Sequence, residues 1–177
     1  MQLYQYTYYH IFNRSINQEN LFYANRHYQL FLAKIFRLRK FLTFHAYCVM
    51  PTHFHILVHI NHEDQNPVRR SIGDILSGYT KAINRQTGRT GSLFQQHTKA
   101  KAVQSEKYLL TTLHYIHQNP VVAGLVRNLE DWSYSSYREY IGLCPNYFVD
   151  KSVILRRYRD LQDFIDASYN IVDIMTV

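Results

Sequence analysis

The sequence predicts an α+β fold: a ferredoxin-like or RRM-like split β-α-β arrangement with an antiparallel sheet of about four strands, helices packed on it, and a C-terminal helical extension. Three observations predict this class. Segments that alternate with a period of two are separated by segments with helical periodicity. Two of the alternating segments are joined by only two residues, which favours an antiparallel hairpin. A length of 177 residues and a hydrophobic content of 46% suit a single domain over 1–177 and exclude a disordered chain.

The first half of the chain gives a strand, a helix and a hairpin. Residues 4–13 are aromatic and β-branched, which predicts a strand. Residues 25–40 repeat apolar side chains at helical spacing between basic ones, which predicts an amphipathic helix with a cationic face. Residues 41–50 and 53–60 then alternate as the two strands of the hairpin.

The second half adds two helices and one strand. Residues 68–86 carry an apolar stripe at helical spacing, and residues 91–103 predict a strand or loop near the sheet edge. Residues 105–119 predict a third helix, which Pro120 is expected to stop. Beyond residue 126 we expect short helices that pack on the outside.

Charge and cysteine content narrow the functional class. The chain has 20 Lys and Arg against 13 Asp and Glu, a formal charge of +7, which favours a polyanionic partner such as nucleic acid without requiring one. Cys48 and Cys144 lie far apart, so no CxxC redox or zinc pattern exists. The N-terminal residues do not resemble a signal peptide and no run of about 18 apolar residues occurs. We therefore expect a cytoplasmic protein without a membrane partner.

The stretch "THFHILVHI" at 52–60 places three histidines on one face of a strand. Its alternation directs His53, His55 and His59 to one side and Phe54 to the other. Two imidazoles at i, i+2 have Cα atoms about 6 to 7 Å apart, from which both can reach one metal ion. On this spacing alone, metal ligands and plain surface histidines are equally compatible with the pattern.

A second constellation lies in "LHYIHQNP" at 113–120. Tyr115 and Asn119 are four residues apart and share one face of the predicted helix. A tyrosine hydroxyl can act as a nucleophile and an amide oxygen can bind a hard cation. A core tyrosine and a helix-capping asparagine before proline would explain the same pair, and the pair alone favours that interpretation.

Taken together, these motifs resemble a known family. "HFH" on a strand and "YIHQNPVVAGLV" closing a helix are similar to the HUH endonuclease motif and the catalytic-tyrosine motif of single-tyrosine transposases, most closely the REP-associated tyrosine transposases. Further matches are "YHIFNR" at 9–14, "GSLFQ" at 91–95 and "WSYSSYREY" at 132–140. The resemblance covers about residues 4–142 and leaves residues 143–177 as the C-terminal extension.

The resemblance implies a mechanism and its residues. It implies that His53, His55 and Asn119 bind Mg²⁺ or Mn²⁺ and that Tyr115 is the nucleophile. The activity implied is that of a metal-dependent single-stranded DNA endonuclease and strand transferase, a transposase that cleaves and rejoins DNA at palindromic hairpin repeats through a 5′-phosphotyrosine. Family members usually carry Asn at the position of Thr52. His59 lies outside the family's ligand set, and we favour a packing or substrate-side role for it.

The implied partner is single-stranded DNA with imperfect palindromic hairpins, and we expect a monomer. Basic and amide side chains in three segments are candidates for DNA contacts, although a solvated surface would explain the basic ones equally well. These candidates are Asn13, Arg14, Arg69, Arg70, Lys81, Arg85, Lys99 and Lys101.

Two other functions fit parts of the pattern. The same fold could bind hairpin DNA with no need for chemistry, as in a domesticated binding protein. A rolling-circle replication initiator shares the HUH motif, but such proteins usually place the tyrosine differently and often carry further domains. The joint presence of two histidines, the tyrosine and the asparagine favours the enzyme.

Overall fold

The structure is a computed structural model that describes residues 2–62, 65–146 and 148–170. Positions 1, 63–64, 147 and 171–177 lie outside the described residues, so the predicted domain over 1–177 and its C-terminal extension are described only in part. The described part contains one four-stranded sheet with helices on both faces.

The sheet confirms the predicted fold class. Its strands are β1 (Tyr8–Arg14), β2 (Leu42–Met50), β3 (His53–Ile60) and β4 (Lys99–Val103), in the spatial order β2-β3-β1-β4 with antiparallel neighbours throughout. The hairpin of β2 and β3 forms because only Pro51 and Thr52 separate the two strands. The segment before residue 99 is a loop, so β4 takes up only the end of the predicted edge strand.

The pairing register assigns side chains to the two sheet faces. Strand β1 pairs with β3 so that Phe12 lies opposite His55 and His10 lies opposite Leu57. Directly paired residues project to the same side of a sheet. The side chains of His10, Phe12 and His55 therefore share one face, and Phe54 lies on the other.

Helices α1 (Asn25–Ile35) and α2 (Gln65–Thr87) cover the face that carries Phe54. The α-helical part of the predicted helix 25–40 ends at residue 35, and a 3-10 segment continues to residue 40. Phe31 of α1 and Tyr79 of α2 are fully buried and meet edge-to-face, with ring centroids 5.2 Å apart. The hydroxyl of Tyr79 donates to the carbonyl of Leu21 at 2.7 Å, so this buried phenol is satisfied.

Helix α3 (Glu106–Val122) lies on the opposite face, where the histidines project. Its N-terminus is capped by Ser105, whose hydroxyl oxygen accepts from the backbone N–H of Tyr108. The prediction that Pro120 stops this helix is wrong, since Pro120 lies inside the last turn. Proline removes one N–H donor there, but the bond from the Ala123 N–H to the Asn119 carbonyl continues the helical pattern past it.

Three short helices follow: α4 (Tyr137–Tyr140), α5 (Ser152–Leu155) and α6 (Leu161–Tyr169). They confirm the predicted short helices, but they contribute to the core instead of only covering it, because Tyr137, Tyr140 and Phe164 are almost fully buried. Tyr140 and Phe164 stack with ring centroids 5.0 Å apart. None of the helices in the described ranges is long and apolar enough to cross a membrane.

Candidate metal and nucleophile site

Strand β3 presents the two histidines of the HFH motif side by side. His53 and His55 project from one face, and their ring centroids are 5.1 Å apart. Phe54 between them is fully buried on the other face, against Phe31. This arrangement confirms the direction of the side chains that the period-two alternation predicts.

Each of these imidazoles has its Nδ1 atom next to a protein partner. Nδ1 of His53 lies 3.0 Å from the hydroxyl oxygen of Thr52, and Nδ1 of His55 lies 2.8 Å from Nε2 of His10. When the Nδ1 of a neutral imidazole carries the proton and donates it, the lone pair lies on Nε2. Both histidines can therefore offer Nε2 to a cation.

Helix α3 brings the two residues of the second motif to the same place. The amide nitrogen of Asn119 donates to the carbonyl of Tyr115 at 2.7 Å, one turn earlier. Because the nitrogen is used in this way, the amide oxygen is directed at His53 and lies 3.5 Å from its Nε2. The ring of Tyr115 meets that of His55 edge-on at 5.5 Å. The structure thus brings together all four residues that the motifs single out.

The electrostatics keep the imidazoles of the site neutral. Burial lowers the pKa of His55, and the neighbouring His10 and His53 lower it further. Burial also lowers the pKa of His53; the hydrogen bond to Asn119 acts in the opposite direction and the charge of Arg14 lowers the pKa further. The pKa of His10 falls to about 3, mainly through burial and then through Lys101. Neutral imidazoles retain the lone pairs that metal coordination requires.

These residues fit a loosely held divalent cation. Two imidazoles and one amide oxygen suit Mg²⁺ or Mn²⁺ when other positions are filled by water and phosphate oxygens. The separation of 3.5 Å between His53 Nε2 and Asn119 Oδ1 is close to the roughly 3 Å between neighbouring octahedral Mg²⁺ ligands. No cluster of three or more His, Cys, Asp or Glu suited to a metal occurs among the described residues. A closed, high-affinity metal site of that kind is therefore absent from this part of the chain.

A cavity of about 270 Å³ lies in front of these groups. It is lined by Phe12, Asn13, Arg14, His53, His55 and Tyr115. Three exposed cations belong to the same sheet face, since the register pairs Arg14 with His53, Lys99 with Phe12, and Lys101 with His10. Positive charge around a cavity of this size suits a phosphate group.

A wider groove of about 600 Å³ adjoins this cavity and runs along α2 and the loop before β4. Asn13 lines both spaces, so they share a wall. Two predicted DNA contacts, Arg69 and Lys81, line the groove. Arg70 and Arg85 are exposed on α2 but line neither space.

The amide of Asn13 is engaged within the protein. Its nitrogen donates to the carbonyl of Gln95 at 3.2 Å and to the hydroxyl of Thr98 at 3.0 Å, and its oxygen accepts from the backbone of Arg14 at 2.7 Å. Only 6% of the residue is exposed. Asn13 therefore ties β1 to the segment before β4, whereas sequence reasoning proposes it for base or phosphate contact.

The remaining histidines of the two motifs lie away from this cavity. Nδ1 of His59 lies 2.8 Å from the amide oxygen of Asn61, and its ring packs on Tyr8 at 4.7 Å. His114 and His117 extend from the back of α3 into the interface with the C-terminal helices. Both side chains therefore contact the C-terminal segment instead of the cavity.

Sequence reasoning missed His10 and Phe12. Both stand in "YHIFNR", where they alternate with Arg14 and so belong to one strand face. The alternation was visible, but it could not show that β1 is the strand next to β3. That neighbour relation comes from the topology and places His10 against His55.

Comparisons with known proteins identify a related sequence and a related fold. No protein-family model matches the chain. A protein of Haemophilus influenzae, provisionally named a REP-associated tyrosine transposase, is 31% identical over 101 residues, which are 52% of this chain and 57% of the relative. The chain thus spans little more than half the length of that curated relative.

A solved structure has the same fold. It is a REP-associated tyrosine transposase bound to a REP hairpin, and it superposes with a TM-score of 0.64 at 21% identity over 86% of this chain and 90% of the other. Together, the curated relative and this structure confirm the resemblance to REP-associated tyrosine transposases that the HFH and tyrosine motifs indicate.

Proposed function

We propose that this chain is a metal-dependent DNA nicking and joining enzyme of the single-tyrosine transposase type, which acts on single-stranded DNA at palindromic hairpin repeats. One observation carries the proposal. His53 and Asn119 are 66 residues apart in the sequence, yet His53 Nε2 lies within 3.5 Å of Asn119 Oδ1, with Tyr115 one helical turn away.

The residues that would hold the cation are His53, His55 and Asn119, and the ion would be Mg²⁺ or Mn²⁺. When bound, such an ion withdraws electron density from a phosphate group and offsets the charge that develops on its oxygens. The protein's own contribution is to supply neutral nitrogen donors, a fixed amide oxygen and the cation Arg14 beside the cavity.

Tyr115 supplies the nucleophile in this proposal. Its hydroxyl oxygen forms a bond to phosphorus while the bond from phosphorus to the 3′ oxygen breaks, giving a 5′-phosphotyrosine and a 3′-hydroxyl. The phenolic proton passes to solvent and the leaving oxygen takes up a proton. None of the described residues that line the cavity is a carboxylate base. Attack by a 3′-hydroxyl on the phosphotyrosine reverses the step, so rejoining needs no ATP.

The proposed partner is single-stranded DNA that folds into a hairpin. The structural relative is bound to a REP hairpin, and this chain offers Arg14, Lys99 and Lys101 around the cavity. The groove beside it adds Arg69 and Lys81. These side chains suit the phosphates on either side of the cleaved bond. Arg70 and Arg85 extend the positive surface of α2, and we propose that the chain acts as a monomer.

The test is covalent capture of the DNA. Wild-type protein is incubated with a labelled single-stranded hairpin oligonucleotide and Mg²⁺ or Mn²⁺, then resolved on a denaturing gel. We expect a metal-dependent protein-DNA adduct that Tyr115→Phe abolishes. Tyr108→Phe is the matched control, because Tyr108 lies two turns earlier on the same helix and does not line the cavity. An adduct that persists in Tyr115→Phe would show that another residue is the nucleophile.

A second candidate function is hairpin binding without chemistry. It is favoured by the bound hairpin of the structural relative, because binding alone would preserve the same cationic surface. The same experiment separates the two functions. Retained hairpin binding, measured by mobility shift, with no adduct under any divalent ion would establish the binding protein and reject the enzyme.

A further inference from the structure

A hydrogen bond between two histidines lies directly behind the proposed metal site. Nε2 of His10 on β1 is 2.8 Å from Nδ1 of His55 on β3, and the two ring centroids are 5.0 Å apart. His10 is 3% exposed and His55 is 6% exposed, so water does not compete freely for this bond. His10 does not line the cavity, so it can influence a cation there only through His55.

The position of one proton in this bond decides what His55 can do. If Nδ1–H of His55 donates to His10, then Nε2 of His55 keeps its lone pair. If Nε2–H of His10 donates instead, then the proton of neutral His55 lies on its Nε2, and that atom cannot bind a cation. Two neutral imidazoles share one proton here, so the two arrangements exclude each other.

We propose that His10 is a positioning residue that accepts the Nδ1–H of His55 and so holds the Nε2 lone pair of His55 ready for the cation. This inference rests on the proposed metal site and goes beyond it, because His10 is not one of the ligands. Partners of this kind commonly orient metal-bound histidines and fix their tautomer. Here the partner is a second imidazole instead of a carboxylate or a carbonyl.

The surroundings of His10 restrict the movement of its ring. Strand β1 is hydrogen-bonded on both sides, so the backbone of His10 is fixed between Leu57 of β3 and Lys101 of β4. The ring packs on Phe12 at 4.8 Å and approaches Tyr115 edge-on at 6.0 Å. A buried ring held in this way keeps its Nε2 directed at one acceptor or donor, namely Nδ1 of His55.

The second imidazole of the site is held in the same sense. Nδ1 of His53 lies 3.0 Å from the hydroxyl of Thr52, which leaves Nε2 of His53 facing Asn119. Two neighbouring histidines thus turn the same nitrogen away from the cavity by means of different partners.

The first test reads the tautomer directly. Protein labelled with ¹⁵N-histidine is studied by long-range ¹H–¹⁵N NMR, with His55 assigned by comparison with His55→Gln. We expect His55 to carry its proton on Nδ1 and to have an unprotonated Nε2 before any metal is added. A proton on Nε2 of His55 would overturn the proposal.

The second test measures cation affinity without any reaction. Mn²⁺ is titrated into each protein in complex with a hairpin oligonucleotide, and free Mn²⁺ is followed by EPR. His10→Phe keeps an aromatic ring and loses the acceptor, and we expect it to weaken Mn²⁺ binding by about 10- to 100-fold. His10→Gln returns an acceptor atom near the position of Nε2, and we expect it to recover most of the affinity. His10→Phe with wild-type affinity would overturn the proposal.

Controls separate this inference from the proposed function. His45→Phe removes another buried strand histidine, whose Nδ1 bonds to the Asp150 carbonyl at 2.8 Å, and should leave Mn²⁺ affinity unchanged. If His10→Phe does not fold, the tautomer of His55 in the wild type still decides the matter. If His53→Ala and His55→Ala bind Mn²⁺ as the wild type does, the metal site itself is wrong, whatever the tautomer. If His53→Ala and His55→Ala lose Mn²⁺ affinity but His10→Phe binds Mn²⁺ as the wild type does, the metal site stands and the role of His10 fails.

Discussion

The two sides of helix α3 both face histidines that are buried or half-buried, but these histidines use their ring nitrogens differently. On the sheet side, His53 and His55 use Nδ1 for protein contacts and direct Nε2 towards a cavity and an amide oxygen. On the back, His114 and His117 use Nε2 to reach the hydroxyls of Tyr158 and Ser136. Their Nδ1 atoms are buried and have no hydrogen-bond partner within the described part of the chain.

The difference teaches that burial and neutrality do not by themselves mark a functional histidine. Burial lowers the pKa of His55 on one side and of His114 on the other. Only on the sheet side does a free nitrogen meet further polar groups and open space. The direction in which a buried imidazole presents its unused nitrogen therefore distinguishes a candidate ligand from a core residue.

Replacing one histidine on each side of α3 with alanine should give the largest effects, on adduct formation for His55 and on stability for His117. In His55→Ala, a proposed metal ligand is lost. Loss of a residue that only orients a ligand typically lowers activity by up to about 100-fold, so adduct formation with hairpin DNA should fall by more than that. In His117→Ala, a fully buried ring between Tyr137 and Tyr140 is lost, so the free energy of unfolding should fall by about 2 to 4 kcal/mol. The measurements are adduct yield per folded molecule and urea denaturation.

Two results would contradict the different roles of the histidines on the two sides of α3. His117→Ala with normal stability and no adduct would place the chemistry on the back of α3. His55→Ala with a normal adduct would remove the metal site from the proposal.

Much of the fold and of the sheet side of the site can be predicted from the sequence. The alternation of "HFHILV" set the directions of His53 and His55, because the period of a strand is fixed by its geometry. The spacing of Tyr115 and Asn119 set their common helical face. The two-residue connection predicted the hairpin, and the element order predicted the fold.

The rest depended on contacts between distant segments. His10 became visible only when β1 was placed next to β3, a pairing that no local pattern states. The amide of Asn13 bonds to Gln95 and Thr98, more than 80 residues away in the sequence, and no local pattern predicts these partners; the contact of Asn13 with DNA stays a prediction. The local effect of proline predicts that Pro120 ends α3, but Pro120 lies in the last turn, where the helix tolerates the lost donor.

Buried histidines on both sides of α3 should make the stability depend on pH, and we expect the next largest effect of a single substitution at His114 on the back of α3. Burial lowers the pKa of His114 to about 4, whereas an unfolded histidine titrates near 6.5. Between these values the unfolded chain binds one more proton at this residue, so the stability contributed by neutral His114 is complete above pH 6.5 and is lost as the pH falls towards 4. The slope from this residue is up to about 1.4 kcal/mol per pH unit.

Urea denaturation between pH 4.5 and 7 measures that slope. His114→Leu should reduce it by up to one proton, and Thr112→Val, which changes a buried and non-titrating neighbour on the same helix, should leave it unchanged. An unaltered slope in His114→Leu would show that His114 is protonated equally in the folded and unfolded chains.

The smallest expected effect is on the salt dependence of DNA binding, and it concerns the exposed cations on the sheet side of α3. Lys99 and Lys101 are exposed on the site face of β4, opposite Phe12 and His10. If each contacts a phosphate, each Lys→Ala change should lower the slope of log K against log salt by about 0.7 to 0.9, as one fewer counterion is released. Binding of a labelled hairpin oligonucleotide at several salt concentrations measures this slope.

Lys107→Ala is the control, because Lys107 is exposed at the start of α3 and lines neither the cavity nor the groove. Equal slopes for Lys99→Ala, Lys107→Ala and the wild type would show that DNA does not cross β4, and would leave Arg14 and the groove beside α2 as its path.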